Sequence, residues 1–348
     1  MILRHRSMRT DDIQACVELV KADPVVGPRY GDSIQHLPAA WRRLLECEST
    51  TATVFLADDG HETTICFVGV SLVVTDEFLA DLKRAPHAWI GPHVVRQTIS
   101  GSCPAVSGKE WRDGNSRGGL NLLCWEACFA RGYGAQNAEL QRYVMATFID
   151  QHRGYLWKEL ISTPATDVGH LEFLFRSGAH LWDGLRGCYA TAVQKPLEEI
   201  VKKPHVLGIH RDLEIERQRD WWGTWVGALF DYHCPVLGLS RSEQRMLSSA
   251  LSGATDDELA RALGVSLPAV KKLWVSVYER VEARLPNLIP SSTRFTEPAN
   301  SRGKEKRRRV LAYLRDHVEE LRPVTRRLLP TAARTQVRAN RATSHASR

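Results

Sequence analysis

Residues 253–274, GATDDELARALGVSLPAVKKLW, open two helices so close together that only Gly264, Val265 and Ser266 stand between them. Thr255 and Glu258 have the spacing of a capping box, in which the hydroxyl accepts from the third amide and the acid reaches back. Ser240 and Glu243 repeat it upstream, and Ser266 caps the third helix with Pro268 tolerated in its first turn. Gly253 and Gly264 fall just past two helix ends, where a left-handed residue is wanted. These signals predict helices over about 241–251, 256–263 and 267–284. A link this short cannot return the third helix antiparallel along the second, so the two cross steeply, as in a helix-turn-helix.

At 100° per residue, Val270, Leu273, Val277 and Val281 of the third helix share one stripe. Pro268, Lys272, Val275 and Glu279 lie roughly opposite, with Lys271 and Ser276 flanking and Trp274 nearer the core edge. Asp256 and Asp257 sit in the positive first turn of their own helix, so capping accounts for them. What remains for a polyanion is a short edge at the start of the third helix: Ser266, Leu267, Pro268, Ala269, Lys271, Lys272 and Val275.

The module resembles the DNA-binding domain of LuxR-type transcriptional regulators. The likeness runs without a gap over some 45 residues, through LS..E...L, G....ELA..LGVS, VK and VYERV. It implies that Lys271 and its neighbours contact double-stranded DNA, although Ala269 stands where the family has a phosphate-contacting threonine. Residues 239–285 carry 7 basic and 6 acidic side chains, too little charge for a strong grip. Residues 301–348 hold 14 Lys and Arg against 4 Asp and Glu, more than the whole chain's net +7. Arg307, Arg308 and Arg309 are therefore candidates for additional phosphate contacts.

The first 195 residues follow another pattern. A short strand candidate, ILRHRSM, precedes a helix capped at Thr10 and a second helix, DSIQHLPAAWRRLLECES. TATVFLADDG and TTICFVGVSLVV read as a hairpin, followed by a short helix capped by Thr75. The turn-rich stretch 91–119 predicts no definite element. Then come the strand LNLLCWEACF, the helix NAELQRYVMATFIDQH, the strand YLWKELIST, the helix VGHLEFLFRSG and a last strand CYATAVQ. Such alternation predicts an α/β domain, a mixed sheet flanked by helices.

This order resembles the GNAT acetyltransferase fold. The resemblance implies a pyrophosphate cradle in the loop FARGYGAQNAEL, which makes Arg131, Gly132 and Gly134 candidate cofactor contacts. Gln136 stands at the family's second small position, and a plain glycine turn is the preferred reading. Glu126, between Cys124 and Cys128 in the strand, is placed where a general base might lie. Cys128 is a candidate nucleophile only if the fold brings a histidine to it. No residue is assigned as catalytic, and the domain reads as a degenerate member serving as sensor or dimerisation module.

The eight cysteines show no Cys-x-x-Cys and no Cys/His cluster at zinc spacing, so no metal is expected and the thiols read as reduced in a cytoplasmic protein. No run of 18 apolar residues and no secretory signal occurs, so no membrane association is expected. The expected organisation is a GNAT-like domain over 1–195 and a connecting segment with a tryptophan-rich helix over 196–235. The all-α helix-turn-helix over 236–288 follows, then a linker over 289–302, a basic helix over 303–330 and a disordered basic tail over 331–348. Trp221, Trp222, Trp225 and Phe230 are expected to form a docking face between domains. Together these features describe a DNA-binding transcriptional regulator, expected as a homodimer, with a small-molecule effector for its first domain. The alternative is a GNAT-type N-acetyltransferase with an accessory DNA-binding domain, for which acetyl-CoA is the one co-substrate considered.

Overall fold

The computed structural model describes residues 2–84, 88–134, 137–190, 195–212, 224–289 and 299–323. The chain divides into two compact units, Met1–Asp231 and Tyr232–Arg348.

The first unit is built on an eight-stranded mixed sheet. Its strands are β1 (Ile2–Ser7), β2 (Thr50–Asp58), β3 (Thr63–Val74), β4 (Leu120–Phe129), β5 (Trp157–Ser162), β6 (His180–Asp183), β7 (Cys188–Tyr189) and β8 (Leu207–His210). Their order is β1-β2-β3-β4-β5-β8-β6-β7. β4 and β5 run parallel and the other neighbours antiparallel. Alternation sorts the side chains. Val68, Val70, Leu72 and Val74 of β3 join one apolar core, whereas Phe67 and Val73 join clusters on the opposite face.

The first face carries α1 (Ile13–Ala22), α2 (Val26–Tyr30), α3 (Leu37–Leu44), α4 (Asp76–Arg84) and α5 (Ile90–Ile99), each giving buried residues to the same core. The other carries α6 (Gly108–Ser116), α7 (Ala138–His152), α8 (Val168–Arg176), α9 (Leu197–Val201) and α10 (Trp225–Phe230). The turn-rich stretch 91–119 thus holds most of α5 and all of α6, the latter opened by a capping box of Ser107 and Glu110. Thr75 caps α4 as its position suggests, accepting from the Phe78 amide at 3.1 Å. Thr10 does not cap α1. Thr10–Asp12 form a 3-10 turn ahead of it, held by Asp12, which accepts from the Arg9 amide at 2.7 Å and pairs with Arg6.

Residues 196–235 are more than a connection. Leu207–His210 enters the sheet between β5 and β6, and α10 lays Val226, Leu229 and Phe230 into the first unit's own core. The Trp225 indole donates to Ser177 Oγ at 3.0 Å. Trp225 and Phe230 therefore pack within the first unit; Trp221 and Trp222 lie outside the described residues. The strand expected over CYATAVQ is only Cys188–Tyr189 among the described residues, and His180–Asp183 forms a strand after α8.

In the second unit, regular structure among the described residues is helical: α11 (Arg241–Leu251), α12 (Asp256–Leu263), α13 (Leu267–Arg284) and α14 (Ala299–Asp316). The three caps form as their spacing requires, and Gly264 takes the left-handed conformation at φ 66°. α13 buries Val270, Trp274, Val277 and Val281. Trp274 thus replaces Leu273, which is half-buried, on the stripe. The basic helix is shorter than 303–330 implies. α14 ends at Asp316, and a 3-10 turn over Val318–Leu321 follows, in which buried Glu320 accepts from the Val236 and Leu237 amides. The tail over 331–348 lies outside the described residues.

Candidate functional site

β4 begins as an apolar run, and its first residues pair with β5: Leu120–Leu123 face Trp157–Ile161. Beyond Leu123 the ladder stops, although β4 continues to Phe129. On its other edge Val70 pairs with Glu126 and Ser71 with Cys124, so Trp125 is an extra residue in β4. Such a bulge bends the strand and re-aims its side chains. Here it turns Trp125 and Glu126 toward one partner, for both reach the hydroxyl of Tyr30. β4 and β5 therefore part into a fork at their C-terminal ends, the position where open parallel sheets bind ligands.

Two cavities meet at this fork. The larger, about 180 Å³, lies on the α6–α10 face and is lined mainly by apolar groups from β2, β3, β4, β5, α7, α8 and Trp225. The smaller, about 40 Å³, lies on the α1–α5 face between Arg29, Tyr30, Trp89, Pro92 and Trp125. Glu126, Ala127, Thr163 and His170 line both.

Glu126 is 6 % exposed. Burial pushes its carboxyl up to about 7, while the hydrogen bond from Tyr30 and the charge of Arg29 hold it down. The Trp125 indole donates to Tyr30 Oη at 3.0 Å, and Tyr30 donates to Glu126 Oε2 at 2.5 Å, so the acid is oriented from the first face. The Tyr30 ring needs Gly91 beside it, since a Cβ there would stand 2.6 Å from Tyr30 Cζ. Burial also lowers the His170 imidazole, which accepts weakly from the Thr166 amide at 3.4 Å. Arg29 fixes the loop after β5 by donating to the carbonyls of Pro164, Ala165 and Val201 at 3.2, 2.7 and 3.2 Å, with its guanidinium 4.1 Å from the Trp89 ring.

The cysteines of β4 are placed differently. Cys124 lines the larger cavity, and burial pushes its thiol up to about 12. Cys128 touches the carbonyls of Leu19 and Phe129 and the carboxylate of Asp23. Burial and the nearby Glu126 and Asp23 carboxylates hold its thiol far above the ordinary value, in the unreactive form. Among the described residues the thiol has no histidine partner.

Arg131, Gly132 and Gly134 occupy the turn after β4. Arg131 and Gly132 are exposed, and the Gly134 carbonyl accepts from the Asn137 amide and the Gln141 side chain at 3.1 and 3.3 Å. Asn137 Oδ1 accepts from the Leu140 amide at 3.0 Å and caps α7. Gln136 lies outside the described residues. For a coenzyme A thioester, the apolar cavity and the fork fit an acyl and pantetheine arm. The α7 terminus, already capped by Asn137 and carrying Glu139 in its first turn, fits a pyrophosphate less well. Among the described residues, no group of three or more His, Cys, Asp or Glu side chains could hold a metal ion, and no helix is long and apolar enough to cross a membrane.

In the second unit Lys271, Lys272, Val275, Pro268 and Ser266 are exposed along the start of α13, and Leu267 and Ala269 are partly buried. Arg307, in contrast, donates to Asp256 Oδ1 at 2.7 Å and to the Ala254 carbonyl at 3.0 Å, with its guanidinium 4.6 Å from the Trp274 ring. Arg308 and Arg309 both pair with Glu305 at 2.8 Å.

No family model and no curated protein matches the sequence. Solved structures that this chain matches include an uncharacterized protein from Bacillus halodurans, at 9% identity and a TM-score of 0.33 over 63% of this chain and 89% of that one. Aminoglycoside acetyltransferase AAC(6')-Ib in complex with coenzyme A is similar at 12% identity and a TM-score of 0.30, over 63% and 99% of the two chains. The same enzyme with ribostamycin and coenzyme A gives 12% and 0.31, over 63% and 98%. Likeness at this level carries no activity to this chain.

Proposed function

We propose that the first unit is a GNAT-like N-acyltransferase that moves an acyl group from a coenzyme A thioester to a small amine. The observation that carries the reading is Glu126, a buried carboxyl that titrates at about 7 where cavities from opposite faces of the sheet meet. The thioester would supply an activated acyl group from the α6–α10 side. An amine entering between Tyr30 and Trp89 would meet Glu126 from the other side, which separates donor and acceptor and lets the carboxylate take the ammonium proton. Tyr30 and Trp125 hold the carboxylate in place, and the Arg29-braced loop closes the acceptor side. The test is thiol release from acyl-CoA by the full chain against a panel of primary amines. Amine-dependent release that Glu126→Gln abolishes supports the reading. Failure of the protein to bind coenzyme A or any acyl-CoA overturns it.

A second reading concerns the other unit and is compatible with the first. The exposed edge of Ser266, Pro268, Lys271, Lys272 and Val275 favours double-stranded DNA as the partner of a LuxR-type helix-turn-helix, so that the whole chain would be a transcriptional regulator acting as a homodimer. The buttressing of Arg307 by Asp256 favours a structural role for that residue, leaving Arg308 and Arg309 as the further phosphate contacts. Selection of bound fragments from a random duplex pool tests it. Enrichment of a paired half-site is the expected outcome, and retention without sequence preference or salt dependence contradicts it.

A further inference from the structure

The larger cavity extends well past the fork. Its lining runs from Ser162 on β5 and Glu126 on β4 to Ser71 on β3 and Thr53 on β2. With about 4.8 Å between neighbouring strands, β2 lies roughly 14 Å from β5. An acetyl group placed at the fork would leave the β2–β3 end beneath α7 empty. The whole cavity measures about 180 Å³, and an apolar cavity of about 150 Å³ holds a benzene ring.

Four of its polar side chains are already paired, two by two. Ser71 Oγ donates to His152 Nε2 at 2.7 Å, and His152 Nδ1 donates to the Phe148 carbonyl at 2.8 Å. Gln151 Nε2 donates to Thr53 Oγ1 at 3.0 Å. Water needs two to four polar partners, and self-satisfied groups offer few, so this end suits an apolar occupant. Gly69 forms part of the floor, and a Cβ there would stand 3.0 Å from the Phe67 ring, which also lines the cavity. Val144 of α7 forms part of the roof.

We infer that the donor carries an apolar acyl group larger than acetyl, a medium-chain or aromatic acyl thioester, whose tail lies between α7 and strands β2–β4. This inference rests on the acyl-transfer reading above and adds the identity of the acyl group to it. Val144 and Gly69 then set acyl length, and they are specificity residues that touch the tail and take no part in proton transfer.

The test is calorimetric titration of the full chain with free coenzyme A and its acetyl, butyryl, hexanoyl and benzoyl thioesters. Affinity is expected to rise about fourfold per methylene up to hexanoyl, with benzoyl binding at least as tightly as butyryl. Val144→Phe should erase the gain for hexanoyl and leave acetyl-CoA and free coenzyme A unchanged. Gly69→Ala, the smaller intrusion on the opposite wall, should reduce the hexanoyl gain as its methyl presses on the Phe67 ring, and unchanged binding of free coenzyme A by each variant shows that it is folded. Equal affinity for acetyl and hexanoyl thioesters, or a hexanoyl gain that survives both substitutions, overturns the inference and leaves acyl transfer standing. Failure of every thioester and of coenzyme A to bind overturns both.

Discussion

Both units bury glutamates, and Glu126 in the first and Glu243 in the second are held in opposite ways. Glu126 is 6 % exposed and Glu243 is 2 % exposed. Burial pushes both carboxyls upward. At Glu243 this is outweighed: Oε2 accepts from the Ser240 amide at 2.6 Å, and Oε1 accepts from Ser276 at 2.7 Å and from Arg280 at 3.1 Å, so the group lies below its ordinary value. Glu126 has Tyr30 as its main support and stays raised to about 7. Glu243 works as a joint between the start of α11 and the middle of α13. Glu126 stands beside two cavities with spare acceptor capacity. Burial alone therefore does not mark a reactive acid; burial with too few partners, next to space for a ligand, does.

The largest effect that would break this contrast is on rate. Glu126→Gln should lower amine-dependent thiol release by about 10²–10⁴-fold, as loss of a general base does, in a protein that remains folded at the assay temperature. A fall under tenfold would place the base elsewhere. In the second unit, Glu243→Ala leaves Arg280 and the Ser240 amide without their partner and should cost about 3–5 kcal/mol by denaturant unfolding of that unit. A cost below about 1 kcal/mol would mean the joint is dispensable.

Glu126 and Glu243 should contribute to the pH dependence of stability with opposite signs. The folded Glu126 titrates at about 7 against 4.5 unfolded, so the native state holds the extra proton between those values. Stability should fall as pH rises through that window, by on the order of 3 kcal/mol, and Glu126→Gln should flatten the profile. Glu243 is lowered instead, so its contribution is full above pH 4.5 and is lost as pH falls through its folded value. Chemical denaturation of the full chain between pH 3 and 8, with each variant, separates the two slopes. A smaller effect concerns the exposed edge of α13. Replacing Lys271 and Lys272 together with Ala should reduce the slope of log affinity for duplex DNA against log salt by roughly 2. An unchanged slope would remove this edge as a phosphate-binding surface.

Much of the architecture was legible because it is local. β4 matches the apolar run LNLLCWEACF, and α12 and α13 begin where Thr255 and Ser266 place their caps. The one glutamate inside that apolar run was the sequence signal for the site, and it was visible. Its meaning was not, because it depends on partners far along the chain: Tyr30 lies 96 residues away, and the bulge at Trp125 exists only in the pairing of β3 with β4. Leu207–His210 is not legible in the sequence, because four residues after a Pro-containing connection carry too little periodicity to declare a strand. Arg307 reads in sequence as a candidate phosphate contact because its partner Asp256 is 51 residues upstream.

Titration of the Glu126 side-chain carboxyl carbon by NMR, in the full chain labelled with ¹³C-glutamate and assigned with Glu126→Gln, addresses the proposed base without needing the amine. A midpoint near pH 7, moving upward in Tyr30→Phe as the supporting hydrogen bond is lost, is the expected result. A midpoint near the ordinary 4.5, unmoved by Tyr30→Phe, would show a solvated carboxylate and contradict the assignment of Glu126 as the base at the fork.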